Sequence, residues 1–171
     1  MNGDANGAGR ASFGLARRVI TSWALLGGVV LMGIALMSTW SATSAFLFNK
    51  PLQGDFELVE MFVAVAVFMF LPYCQLTGAN VTADIFTASA SRRTVALFKL
   101  IAAAIAVGFG ALLTWRMYAG LLDYREYVET TTILRIPVWY AYVPILMSLA
   151  LLLLACLITI RDLVHDMRRA G

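Results

Sequence analysis

The chain has 171 residues, of which 61% are apolar and 13% charged. Soluble domains average roughly 45–50% apolar and about 25% charged residues, so this chain has too little polar surface to cover a water-soluble core. A membrane span takes about 20 mainly apolar residues, which allows four spans and leaves no room for a large domain outside the bilayer. The formal charge of +3 comes from thirteen basic residues against ten acidic ones. In a membrane protein such charges report orientation before they report a partner. No basic run with interleaved aromatics occurs, which argues against a nucleic-acid ligand. Cys74 and Cys156 lie in separate apolar stretches with no Cys-x-x-Cys, and His165 is the single histidine. That excludes a zinc cluster of the usual spacing and a haem held by two histidines.

In chain order, residues 1–16 (MNGDANGAGRASFGLA) are rich in Gly, Ala and Asn and read as a flexible tail, with a short interfacial helix in its later part as the alternative. Arg17 and Arg18 precede an apolar stretch from Val19 to Phe48. A basic start before apolar residues resembles a cleavable signal, but signal cores run about 7–15 residues. This stretch is longer, so a retained first span over about 19–46 is expected. The turn NKPLQGDFE (49–57) follows, with Asp55 as the expected N-cap and Glu57 in the first turn, where a negative charge suits the helix dipole. The second span covers about 57–76, and Pro72 inside it removes a backbone donor near its end.

Residues 77–93 are too polar to span. Val81, Ile85 and Phe86 recur at helical spacing, which fits a short surface helix, with a plain loop as the alternative. Asp84 lies in this segment, either as an anchor for it or simply solvated. The third span runs over about 95–122. Ala102, Ala106 and Gly110 stack at four-residue intervals, with Ala104 and Gly108 beside them, and small residues at that spacing let a second helix come close in lipid. The charged link 123–137 leads to a fourth span over about 137–160, with Pro137 expected in its first turn and Thr130, Thr131 or Thr132 as its cap. Residues 166–171 form a short C-terminal tail.

Orientation follows from the charges. With both ends in the cytoplasm, nine basic residues (Arg10, Arg17, Arg18, Arg92, Arg93, Lys99, Arg161, Arg168, Arg169) face inward and four (Lys50, Arg116, Arg125, Arg135) outward. Trp40, Trp115, Trp139, Tyr118, Tyr140 and Tyr142 fall at the outer ends of spans, as an interfacial belt requires. The expected fold is therefore all-α and integral to the membrane. It has four helices, N-in and C-in, with a short cytoplasmic interfacial helix between the second and third.

Glu60 lies one turn deeper than Glu57 on the same face, and Arg116 comes to a similar depth on the third span. A pair between Arg116 and either acid would lower the cost of burying both, and separate snorkelling to the headgroups is the alternative. No ionisable residue falls near the middle of a span, as a proton relay would need. No nucleophile–base pattern or phosphate loop is visible, so an enzyme is not expected.

Three stretches then carry a family resemblance: GDFELVEM (54–61), FLPYCQLTGANVTADIF (70–86) and TTTILRIPVWYAYVPI (130–145). In order and topological position they resemble the small membrane subunit of tripartite ATP-independent periplasmic (TRAP) transporters. The similarity extends over about residues 15–165. It implies a scaffold role beside a large membrane subunit, which would hold the substrate and sodium sites, and docking with a periplasmic substrate-binding protein that captures an organic acid. The cell location so implied is the bacterial inner membrane, in contact with lipid, and no cofactor is expected on this chain. Glu57, Glu60, Asp84, Arg116, Arg125, Arg135, Pro137 and Trp139 are the candidate structural or partner-contact residues, and Ala102, Ala106 and Gly110 the candidate packing residues. The rivals are a self-sufficient small transporter or binding protein of four helices and a quinone-linked or lipid-modifying enzyme. Glu60 is too shallow for the first, and the spans carry too few polar residues for the second.

Overall fold

The computed structural model describes residues 4–78 and 92–169, with side chains over 14–78, 101–162 and at 164. Four helices make up the described chain: α1 (Asp4–Phe48), α2 (Asp55–Thr77), α3 (Arg92–Glu126) and α4 (Trp139–Arg169). Each contains a segment long and apolar enough to cross a membrane: Gly14–Phe48, Asp55–Thr77, Ile101–Glu126 and Trp139–Asp162. The expected surface helix and Asp84 lie outside the described residues.

The first helix begins well before Arg17, where a tail was expected. Ala5, Ala8, Ala11 and Ala16 supply the strongest helix former at short intervals, and they extend the helix of the apolar span backwards. At 45 residues α1 is about 68 Å long, twice the thickness of a hydrocarbon core, so it cannot lie within the bilayer over its whole length. Helix α2 continues through Pro72, which is fully buried, and stops at Gly78. That glycine takes the left-handed conformation (φ +69°), and its N–H closes on the Gln75 carbonyl at 3.4 Å.

Packing is sequential around the last helix. Helix α1 lies against α2, α2 against α4, and α4 against α3, while α1 makes a minor contact with α4. Ile20, Ala24, Gly27, Ile34 and Ser41 form the buried stripe of α1, close to a seven-residue repeat. Gly27 is the closest point: a Cβ there would lie 3.0 Å from Met69 Cβ and 3.5 Å from the Ala66 carbonyl oxygen. The central cluster joins Val65 and Met69 of α2 to Ala141, Ile145 and Leu149 of α4, with Leu113 and Met117 of α3 packed on it. One polar link crosses the apolar interior. The Trp23 indole N–H donates to Ser148 Oγ at 2.9 Å, and that hydroxyl donates to the Pro144 carbonyl at 2.8 Å. Both groups are thereby satisfied where water is scarce.

Only part of the small-residue stripe of α3 is used for packing within the chain. Ala102 is exposed and Ala106 half-buried, whereas Ala103 and Gly110 are buried. Gly110 does serve close packing, since a Cβ on it would meet Leu153 Cδ2 at 3.1 Å. The neighbouring stripe through Ala104 and Gly108 faces open space and is flanked by exposed Ile105, Phe109, Leu112 and Trp115.

At the end of the molecule holding the α4 C-terminal turns, Arg17 Nη2 and Asp162 Oδ2 pair at 2.7 Å. Both side chains are more than half exposed, so the contact orients the helix ends and adds little stability.

Candidate functional site

The opposite end carries the α1–α2 and α3–α4 connections, and two stretches that look unrelated in sequence are locked together there. The first is the start of α2. Gly54, rather than Asp55, is the N-cap residue, and it sits at φ +78° with no side-chain cap. Asp55 is the first helical residue, and its carboxylate accepts a hydrogen bond from Ser41 Oγ at 2.6 Å. The same Ser41 oxygen accepts the Leu52 N–H at 3.2 Å, so one buried hydroxyl ties the end of α1 to the turn and to α2. Ser41 engages Asp55 Oδ2 across the turn, while Oδ1 accepts the Phe56 N–H at 2.8 Å, so Asp55 serves the helix start from its first helical position and not as the cap residue.

The second stretch is the link from α3 to α4. Thr130 and Pro137 form an antiparallel bridge, flanked by Thr131 N–H to Ile136 O at 2.9 Å and Val138 N–H to Glu129 O at 3.1 Å. The Thr131 hydroxyl accepts the Ile136 N–H at 3.1 Å, so Thr131 caps this turn and not the following helix. Pro137 precedes α4, which begins at Trp139; it holds the base of the turn, and its carbonyl accepts the Tyr140 N–H at 3.2 Å at the entry to the helix. Lacking an N–H, Pro137 leaves no donor orphaned in that position.

Glu57 joins the two stretches. Its Oε1 accepts the Ile133 N–H at 2.6 Å and its Oε2 accepts the Leu134 N–H at 3.0 Å. Backbone donors at the tip of a turn have no partner of their own, and a carboxylate that takes two of them forms charge-assisted bonds. Leu134 completes the lock by lying over Gly54, where any Cβ would come within 2.5 Å of Leu134 Cγ. The glycine is thus required twice, once for its backbone angle and once for the space above it.

Other candidates divide around this lock. Arg125 stacks on Trp139, with the guanidinium carbon 5.6 Å from the ring centroid, and so fixes the end of α3 on the start of α4. Tyr124 and Tyr142 stack nearby at 5.2 Å. Arg135 is exposed, at φ +53°, on the far limb of the turn. Arg116 is exposed on α3 and makes no ion pair with a described residue. The expected pair fails because Glu57 is taken by backbone donors and Glu60 points into a cleft that Arg116 does not line. Ser41 and Leu134 were not among the expected site residues, Gly54 was expected only as part of the 49–57 turn, and Thr131 only as a possible cap of the last helix. The glycine before an acidic helix start is the one signal among them that sequence offers.

Two expected results follow. Because Arg116 has no internal partner, Arg116→Ala should leave the melting curve of the purified protein unchanged; a clear drop would mean that the arginine is held. Glu57→Gln keeps the shape but loses the charge and one acceptor oxygen, so the 127–138 turn should become more sensitive to limited proteolysis. Equal cleavage rates in the two proteins would show that the turn holds without the carboxylate.

Between α2, α3 and α4, just below the lock, lies a cleft of about 390 Å³. Its floor is apolar and its rim carries Glu57, Glu60, Thr131 and Thr132.

Four apolar helices, joined at one end by a rigid paired-loop structure, define a multi-pass membrane protein. The chain belongs to the family of the DctQ component of tripartite ATP-independent periplasmic transporters, whose model matches residues 34–168. That family is a transporter component and not an enzyme family. The match takes in all three stretches that carried the resemblance, including the two that Glu57 joins. No match was found among curated proteins or among solved structures.

Proposed function

We propose that this chain is the stationary small subunit of a sodium-coupled uptake transporter fed by a periplasmic binding protein. It sits in the bacterial inner membrane with both termini in the cytoplasm, so the locked loop end faces the periplasm. The large membrane subunit carries the substrate and sodium sites. This chain enlarges the scaffold beside it and contributes to the surface on which the binding protein lands.

The observation that carries this reading is the family match, which reaches every helix of the fold. The structure supports the division of labour in three ways. Helix α3 packs on α4 and presents an open apolar face with small residues at Ala104 and Gly108, suited to close approach by another membrane helix. The nine-to-four distribution of basic residues favours termini on the cytoplasmic side. The loop end is held by Ser41, Gly54 and Glu57, which gives a partner a surface of fixed shape. Exposed charges there, Arg135 among them, would tune the rate and register of association more than its strength.

The test is co-expression with a candidate large membrane subunit, followed by detergent extraction and purification on a tag carried by one chain. The two should elute together, and their complex should take up substrate only when the binding protein is present. Separate elution of a well-folded small chain would overturn the proposal.

A further inference from the structure

The cleft under the loop-end lock has a chemistry of its own. Met61, Ala64 and Phe68 of α2, Met117 of α3 and Ile145 of α4 line its apolar part. From Glu60 to Phe68 the groove follows α2 for two turns, a length of about 12 Å. At the rim Glu57 is occupied by the turn, whereas Glu60 is exposed and forms no ion pair with a described residue. No basic side chain lines the cleft. Thr132 adds a hydroxyl to the same rim.

A groove parallel to the helices, apolar along its length and anionic where it meets the headgroups, fits an amphiphile with a cationic head. The membrane itself supplies one. In a phospholipid with a primary ammonium, an acyl chain fills the apolar part, the ammonium meets Glu60, and the phosphate comes within reach of the Thr132 hydroxyl. Phosphatidylglycerol, which has a phosphate and no ammonium, brings no cation to the two carboxylates and is repelled by them. We propose that the cleft is a lipid site that selects phosphatidylethanolamine over anionic phospholipid through the Glu60 carboxylate. The assignment rests on the four helices spanning a membrane, and on the transporter reading only for which leaflet supplies the lipid. A helix of another chain bearing Lys or Arg is the competing occupant, and the test separates the two.

The full chain is incorporated into nanodiscs holding equal amounts of phosphatidylethanolamine and phosphatidylglycerol, and the lipids retained on release are counted by native mass spectrometry. The wild type should keep phosphatidylethanolamine in about tenfold preference, the worth of one charge-assisted hydrogen bond. Glu60→Gln should retain both lipids about equally, and Glu60→Asp should keep the preference. Ala64 is exposed on the cleft wall, so Ala64→Phe fills the groove without disturbing the core and should abolish retention of either lipid. Equal retention of both lipids by the wild type overturns the proposal, as does an unchanged preference in Glu60→Gln. If the wild type retains no lipid and Glu60→Arg abolishes co-purification with the large subunit, the cleft belongs to a partner helix and the proposal falls.

Discussion

Gly27→Leu should lower the melting temperature of the purified protein by several degrees, while Gly28→Leu next to it should leave it unchanged. A Cβ at Gly27 would stand 3.0 Å from Met69 Cβ and 3.5 Å from the Ala66 carbonyl oxygen, whereas nothing lies within 4 Å of the corresponding point on Gly28. The atoms it meets belong to the backbone of α2 or hang directly from it, so no rotamer change clears them. Helix α1 has to back away. Overpacking of this kind costs about 1–3 kcal/mol. Because α2 is the main neighbour of α1, the same displacement strains the Trp23–Ser148 hydrogen bond to α4. The native tryptophan fluorescence should therefore shift along with the melting curve. Matching melting temperatures for the two variants would rule out a close α1–α2 approach at Gly27.

The second large effect is expected at Gly54, and Gly78 provides its reference. Both glycines hold positive φ, +78° and +69°, but Gly78 has open space where a Cβ would go and Gly54 has Leu134. Gly78→Ala should thus cost the left-handed backbone penalty alone, about 1–2 kcal/mol. Gly54→Ala carries the same penalty and also expels Leu134, whose backbone N–H is one of the two held by Glu57. Its melting temperature should fall further than that of Gly78→Ala, and the 127–138 turn should become sensitive to protease. Adding Leu134→Ala to Gly54→Ala should remove the steric part and leave the backbone part. A double variant no better than Gly54→Ala alone would show that Leu134 swings clear without cost and that the lock rests on Glu57.

Four membrane helices were legible from composition and periodicity because lipid allows few alternatives: every backbone donor must be satisfied within the segment. The details that failed were contacts between distant parts of the chain. Asp55 has the right residue type for an N-cap, but Ser41 competes for its carboxylate from across the turn. Pro137 suits a first helical turn, yet pairing with Thr130 moves the helix start to Trp139. Arg116 and Glu60 were expected at a similar depth, but depth along a helix says nothing about rotation around it: Glu60 lines the cleft and Arg116 does not. Rotation also decides which small residues of α3 meet α4: Ala103 and Gly110 are buried, while Ala102 is exposed. The resemblance picked out 54–61 and 130–145 as separate signatures, and only the structure shows one carboxylate joining them.

The position of α4 between α2 and α3 bears on how the protein comes to be made. Chains enter the membrane from the N-terminus, and helices associate after insertion. Helices α1 and α2 have each other as soon as the second leaves the ribosome, and Gly27 allows them to close. Helix α3 has no such mate: its packing surface belongs to the segment synthesised last. Through the making of the 127–138 link it stands in lipid with its buried face bare, including Gly110 and Leu113. A chain cut short before Trp139 would therefore keep only the α1–α2 contact, with Val65 and Met69 of α2 as well as the packing face of α3 left without the helix that covers them.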